Sequence, residues 1–262
     1  MFDIFSYYGK AIRTAFTEFV YFAAFIKVTI VEIFLFSTRK QVTSTVLYRQ
    51  ILFTGYEALK LISLIGLALS GIIIIQGMQL LENFGQSDLV YDILIITITK
   101  ELGPLLTAVI IIARSGTAIS TELGNMVVNH EVEALTSIGI NPIAYLVVPR
   151  VLGVVVSLFC LSIYLNASGI FGGYIISTIN QPLSLWEFLK NLSVKLTIKD
   201  LIMSQTKSFV FGFIIALISC YQGLKVNFAS TEVPQYTIKA VVSSLTWIIV
   251  FDIIIDIFYY SF

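Results

Sequence analysis

Charge is scarce in this 262-residue chain: only 12% of its residues are Asp, Glu, Lys or Arg, whereas 57% are hydrophobic. Soluble domains carry about 25% charged residues. Burying so much apolar surface inside a soluble globule would need an implausibly large core, whereas lipid solvates apolar side chains directly. The mean hydropathy of +0.92 therefore predicts an integral membrane protein.

Several kinds of functional group are also scarce. The two cysteines, Cys160 and Cys220, lie inside apolar runs, and the single histidine, His130, has no Cys or acidic ligands at metal spacing. The phosphate-binding pattern G-x-x-x-x-G-K-[ST] does not occur, so we expect neither a metal nor an ATP site in this chain. No Ser-His-Asp or Cys-His arrangement is evident, and the net charge of zero gives no indication of nucleic-acid binding.

Long apolar runs with few charges predict an all-α polytopic fold with five transmembrane helices. Each run is close to or longer than the about 20 residues that a helix needs to cross a bilayer. The predicted spans cover residues 61–81, 93–118, 145–175, 201–221 and 240–258. With the N-terminus inside, eleven Lys and Arg residues fall on the inner side and three on the outer side, as the positive-inside rule requires.

The N-terminal part is apolar from residue 16 to 36 but carries Glu18, Lys27 and Glu32. A helix that lies in the membrane interface keeps such charges in water, and we expect one here. The predicted division is a cytoplasmic and interfacial segment over residues 1–54, followed by a five-span membrane domain over residues 55–262.

One polar stretch interrupts the apolar pattern between the second and third spans: TELGNMVVNHEVEALTSIGINP, residues 121–142. Apolar residues recur there at spacings of two to four, with polar residues largely between them, which is typical of an amphipathic helix. Gly139 is suited to ending that helix and Pro142 bars its continuation. The pattern predicts a helix over about 121–139 on the inner side. Pattern alone leaves open a solvated surface helix or a docking surface for a soluble partner.

The sequence KELGPLLTAVIIIARSGTAISTELGNM, followed by EVEALTSIGINPIAYLVVPR, closely resembles the MlaE-type permease family, the membrane subunits of lipid-transporting ABC transporters in bacteria and plastids. The resemblance implies that the inner helix is a coupling helix seated in a groove of a separate ATPase subunit. It places in that interface Glu122, Glu131, Glu133, Leu135 and Ile138.

The resemblance also implies a lipid cavity between two copies of the chain. An ungapped alignment back from ELGP places Ile73, Leu80 and Phe84 at positions that line this cavity in the family. Their spacings put them on one helix face, where apolar side chains form a wall suited to acyl chains. Ordinary lipid-facing or helix-packing residues would show the same pattern.

Charged residues within the second span are candidates for function, because intramembrane charges normally face a cavity or a partner. Lys100 and Glu101 are adjacent and need not pair with each other. The resemblance implies that Glu101 lies near the dimer interface and the lipid cavity; the alternative is a structural charge satisfied by another span. Gly103 and Pro104 would loosen or kink the span. Arg114 lies about 20 Å further along the helix, so we expect it at the inner interface and out of contact with Glu101.

The fifth span carries Asp252 and Asp256 one helical turn apart. Such a pair could relay protons or bind a cation. We expect Asp256 near the outer surface, and the family's acidic position matches Asp252 alone, which we interpret as a packing or hydrogen-bonding residue.

The expected function is therefore that of a permease subunit moving phospholipid or a related lipid between membranes. The expected partners are a second copy, a cytoplasmic ATPase that binds ATP and Mg, and an outer-side lipid-shuttling protein. The expected location is a bacterial or cyanobacterial inner membrane or a plastid inner envelope. Two alternatives are an ion-coupled secondary transporter that uses Lys100, Glu101 and Asp252, and a membrane scaffold without transport activity. A secondary transporter would show inverted repeats, which the sequence does not display.

Overall fold

The described part of the protein, residues 2–35, 44–82, 89–180 and 184–261 of a computed structural model, is built from helices. Its α-helices are α1 (Phe2–Leu35), α2 (Ser44–Gly55), α3 (Leu59–Glu82), α4 (Leu89–Leu94), α5 (Gly103–Ile111), α6 (Thr117–Val128), α7 (Glu131–Ser137), α8 (Val148–Asn180), α9 (Leu185–Lys195), α10 (Ile198–Leu224) and α11 (Val233–Ser261). Wider π-helical turns continue the chain at Ile95–Leu102, Ile112–Gly116 and Ile143–Val147.

Five helical runs in the described part are long and apolar enough to cross a membrane, which confirms the predicted number of spans and the all-α class. They cover Thr45–Gly77, Asp92–Val128, Ile143–Ile179, Ile198–Leu224 and Ser230–Tyr259. Helices are expected here because backbone N–H and C=O groups have no water to bond in the hydrocarbon core. The first run begins earlier than predicted, since the helix continues inward through Arg49, Glu57 and Lys60.

The third span lies at the centre of the bundle, packed against α2, α3 and α10, whereas the fifth span is largely unburied. Small residues permit the close approach of the first and third spans. A Cβ atom added at Gly172 would lie 2.9 Å from the Leu67 Cα. Without a hydrophobic driving force in lipid, such close backbone contact is a main source of helix association. We predicted that the third span ends at about residue 175, shortly after Gly172–Gly173. The helix runs on to Asn180, so this glycine pair lies inside it.

The N-terminal helix α1 is absent from the five candidate spans of the described part. Glu18 pairs with Lys225 in the loop after the fourth span. Glu32 accepts a hydrogen bond of 2.9 Å from Asn141, in the loop before the third span. These contacts are about 21 Å apart along the helix, and both partners lie in loops on the predicted inner side. This placement agrees with a helix that lies along the interface. The predicted boundary at residues 54/55 falls at the end of α2, and the division into two domains stays a prediction.

Candidate functional site

A fully buried lysine on the fourth span, Lys207, lies at the centre of a charged cluster inside the membrane region. Its Nζ atom is 2.7 Å from Glu101 Oε2, 2.8 Å from Asp252 Oδ1 and 2.6 Å from Asp256 Oδ1. Glu101 comes from the second span, and the two aspartates come from the fifth. The cluster therefore ties three spans together with one ammonium group and three carboxylates.

The cluster is open on one side. Lys207 has no exposed side-chain surface, but Glu101 keeps 31% and Asp256 keeps 27% of theirs. Ionised groups at this depth normally face a cavity or another protein surface, because exposing them to hydrocarbon costs several kcal/mol. The carboxylates thus mark a polar spot on an apolar face. Asp252 and Asp256, one helical turn apart on α11, both contact Lys207, and the expected position of Asp256 near the outer surface stays a prediction.

The carboxylate oxygens of Glu101, Asp252 and Asp256 lie within 4.8 Å of one another, a spacing at which three ligands hold a metal ion. The Lys207 ammonium already lies at the point on which these oxygens converge. It supplies the positive charge that a cation would bring, so the arrangement is explained without a metal.

A second ion pair lies further toward the predicted outer side. Lys100 Nζ is 2.8 Å from Asp200 Oδ1, and the Tyr259 hydroxyl donates to the same oxygen at 2.8 Å. Asp200 also accepts from the Thr197 backbone N–H at 3.0 Å, because it caps the start of α10. Lys100 and Glu101 thus have separate partners, as adjacent helix residues should.

The turns before Pro104 explain how the second span presents both charges. Proline lacks an N–H group and disturbs the preceding helical turn, and residues Ile95–Leu102 adopt the π-helical form. The Gly103 N–H donates to the Ile98 carbonyl, five residues back. A Cβ atom at Gly103 would lie 2.7 Å from Asn166 Oδ1, so the glycine lets the second and third spans approach at this point. Such π-helical turns are frequent at functional sites.

Arg114 lies within the second span, in the π-helical turn Ile112–Gly116, and contacts the first span, while its expected position at the inner interface stays a prediction. It pairs with Glu57, donates a hydrogen bond of 3.1 Å to the Phe53 carbonyl, and lies over the Phe53 ring. Arg114 and Glu101 therefore have different partners, as predicted from their separation along the helix.

Of the predicted cavity residues on the first span, Ile73 is half-buried and packs against the hydrophobic core. The side chain of Leu80, and Phe84 as a whole, lie outside the described residues. The assignment of these three residues to a lipid cavity stays a prediction.

The single helix predicted over 121–139 is two helices. The helix of the second span continues through α6 to Val128, and α7 begins at Glu131. The chain turns at His130, whose φ of +59° is the only positive value among the non-glycine residues described. At the end of α7, Gly139 has φ +79°, and its N–H and that of Ile140 bond back to Thr136 and Leu135. This is the Schellman arrangement, so the predicted helix end at Gly139 is confirmed.

The five predicted coupling residues differ in what they contact. Glu122, on α6, pairs with the buried Arg150 at 2.8 Å, within the chain itself. Glu131 and Glu133 are exposed on α7, and Ile138 is 71% exposed. Leu135 instead packs inward against the hydrophobic core together with Val132. Four of the five residues therefore remain accessible: Glu122, which keeps 58% of its side-chain surface exposed beside Arg150, and Glu131, Glu133 and Ile138.

Two functional candidates, Lys207 and Asp200, were not predicted from the sequence. The signal was present, because Lys207 is the only charged residue between positions 201 and 224. A single charge in such a run is itself a reason to expect a buried partner. The partners of Lys207 could not be identified from the sequence, because they lie on two other spans.

Comparison with known proteins agrees with this architecture. The profile of the family described as Permease MlaE matches residues 47–258. A probable ABC transporter permease protein of Rickettsia typhi is 29% identical over 211 residues, which are 80% of this chain and 82% of the relative. A probable ABC transporter permease protein of Synechocystis is 36% identical over 162 residues, 62% of each chain.

A plastid relative is known as well. The chloroplastic protein TRIGALACTOSYLDIACYLGLYCEROL 1 of Arabidopsis thaliana is 28% identical over 187 residues, 71% of this chain and 53% of that protein. The relatives are thus bacterial, cyanobacterial and chloroplastic. With five spans and a family profile that covers most of its length, this integral membrane protein belongs to the MlaE permease family, and it is a permease subunit of the ABC transporter type.

Proposed function

We propose that this permease moves phospholipid or a related lipid between membranes, energised by ATP hydrolysis on a separate cytoplasmic subunit. The observation that carries the proposal is the partly open charged cluster of Lys207, Glu101, Asp252 and Asp256 on an otherwise apolar face. A lipid needs both a polar site for its headgroup and apolar walls for its chains. The Arabidopsis relative, whose name is that of a galactolipid, supports a lipid substrate.

The substrate path lies between two copies of the chain in this proposal. The fifth span is largely unburied, and it carries two of the partly exposed carboxylates. A second copy placed against this span would remove these charges from lipid and enclose a cavity next to them. Ile73, Leu80 and Phe84 would then contribute apolar walls.

ATP and Mg would bind to the partner ATPase, whose closure would move the exposed helix α7. A short helix fixed at both ends moves as a unit when its partner closes. On the outer side, the amphipathic helix α9 presents Trp186 and Val194 to the surroundings. We place the lipid-shuttling protein of the assembly on that side.

Two measurements test the proposal. An affinity-tagged copy purified from its source membranes in mild detergent should bring down an ATPase subunit with the G-x-x-x-x-G-K-[ST] motif. The purified complex in liposomes should then transfer a fluorescent phospholipid to acceptor vesicles only when ATP is present. A complex that contains no ATPase, or transfer that is independent of ATP, would rule the proposal out.

The charged cluster also favours a second candidate, an ion-coupled secondary transporter. The cluster unites Glu101 and Asp252 as that candidate requires, but Lys100 belongs to the separate pair with Asp200. Lipid transfer driven by an imposed proton gradient without ATP would support it. The ABC permease relatives favour the first candidate.

A further inference from the structure

Two segments on the predicted inner side contact each other. The His130 ring, between α6 and α7, stacks on the Phe228 ring in the loop between the fourth and fifth spans. The ring centroids are 4.8 Å apart, and the ring planes are inclined by 18°. Phe228 nevertheless keeps 57% of its surface exposed. Its neighbours Asn227, Ser230 and Thr231 are polar and exposed, so the ring lies at the aqueous end of the protein.

The backbone at His130 gives a reason to look for a role of its ring. His130 adopts the left-handed conformation in which helices commonly end, a position usually taken by glycine or asparagine. Glycine would meet the backbone requirement with less steric cost. The histidine is explained instead by what its ring contacts: Phe228 on one side, and Glu133, to which Nδ1 donates at 2.9 Å, on the other.

These contacts join α7 and the Phe228 loop into one surface. The inward face of α7 is anchored through Val132 and Leu135, and Gly139 closes its end. The outward face is acidic, because Glu131 and Glu133 are exposed and the sequence contains no Lys or Arg from position 115 to 149. Apolar side chains flank the acidic patch: Phe228 on one side and Ile138 on the other.

We infer that the ATPase subunit docks on α7 and the Phe228 loop together, and that His130 holds the two segments in register. This inference rests on the proposed function and adds a second cytoplasmic segment to the coupling surface. The complementary partner surface has an apolar pocket for the Phe228 ring, bordered by Lys or Arg side chains that face Glu131 and Glu133. Exposed aromatic side chains that fill such a pocket are typical anchors of protein interfaces.

The first test measures binding of the ATPase that copurifies with the permease. Phe228→Ala should weaken binding of the purified ATPase to the detergent-solubilised permease at least about tenfold. Phe171→Ala is the matched control, since Phe171 is 58% exposed but lies in the third span. A photo-crosslinking amino acid at position 228 should give an adduct with the ATPase, and one at position 171 should give none.

The second test concerns His130. His130→Gly and His130→Asn both suit the left-handed backbone but lack the stacked ring, so each should fold and bind the ATPase several-fold more weakly. The double variant His130→Gly/Phe228→Ala should bind no more weakly than Phe228→Ala alone, because the two residues act through one contact. Binding of His130→Gly at the native affinity, or additive losses in the double variant, would overturn the positioning role.

The outcomes separate this inference from the proposed function. Adducts with the ATPase from position 133 but none from position 228 would overturn the inference and leave the ABC permease intact. Failure of any ATPase to copurify would overturn the proposed function itself.

Discussion

Lys207 and Glu101 lie 106 residues apart in the sequence, yet the Lys207 ammonium donates a hydrogen bond of 2.7 Å to the Glu101 carboxylate within the membrane region. With Asp252 and Asp256 this contact joins the second, fourth and fifth spans. It also places one positive charge among three carboxylates. The cluster is therefore expected to govern both stability and substrate contact.

Removal of the Lys207 ammonium should be strongly destabilising. Lys207→Met leaves three carboxylates without their shared cation, and breaking a buried ion pair costs on the order of 3–5 kcal/mol. We expect a clear fall in the midpoint of thermal unfolding in detergent. The control is Lys195→Met, which removes a partly exposed pair with Asp92 and should cost only about 0–1 kcal/mol. Equal midpoints for the two variants would show that the cluster does not stabilise the fold.

Neutralising one carboxylate of the cluster should leave the stability of the protein unchanged or raise it. Asp256→Asn keeps the shape of the side chain and reduces the mutual repulsion of three carboxylates around a single ammonium. We expect an unfolding midpoint that is unchanged or higher than that of the native protein. Because the same acid faces the proposed cavity, lipid transfer should change even though the fold is preserved. A midpoint lowered as far as that of Lys207→Met would contradict the idea that repulsion among the three carboxylates destabilises the fold.

The contact between the first and third spans depends on the absence of a side chain at Gly172. Gly172→Leu would drive atoms into the Leu67 backbone, since even a Cβ atom would lie 2.9 Å from the Leu67 Cα. We expect loss of folded protein, measured as the monodisperse fraction in size-exclusion chromatography. Ala113→Leu, at an exposed position of the second span, should retain the native profile. Native behaviour of Gly172→Leu would mean that these spans are not closely packed.

Charge reversal on α7 distinguishes a coupled permease from a scaffold. The double variant Glu131→Lys/Glu133→Lys alters an exposed acidic face without removing a packed side chain, so the protein should still insert and fold. We expect at least about a tenfold loss of permease-stimulated ATPase activity. Lys199→Glu, an exposed charge reversal on the predicted outer side, should leave that activity unchanged. A scaffold without transport activity would show no defect in either variant.

Much of the segment between the second and third spans could be predicted from the sequence, but not all of it. Gly139 signalled a helix end through its freedom at positive φ, and the structure places it at +79°. His130 gave no such signal, because histidine carries no comparable preference, and the helix breaks there all the same. The family resemblance placed both Leu135 and Ile138 in one interface. The helix ends at Ser137, however, so Leu135 packs inward whereas Ile138 is exposed.

The sequence by itself determined the class, the number of spans and the polar segment between the second and third. These follow from run length and composition, because a bilayer requires about 20 apolar residues per crossing and places charge at its edges. Only the tertiary structure decided that Lys207 is surrounded by Glu101, Asp252 and Asp256, while Lys100 pairs with Asp200. Which residues on separate spans become partners depends on how the helices pack and rotate against one another. Close contacts of small residues, such as that of Gly172 with Leu67, help to fix this packing.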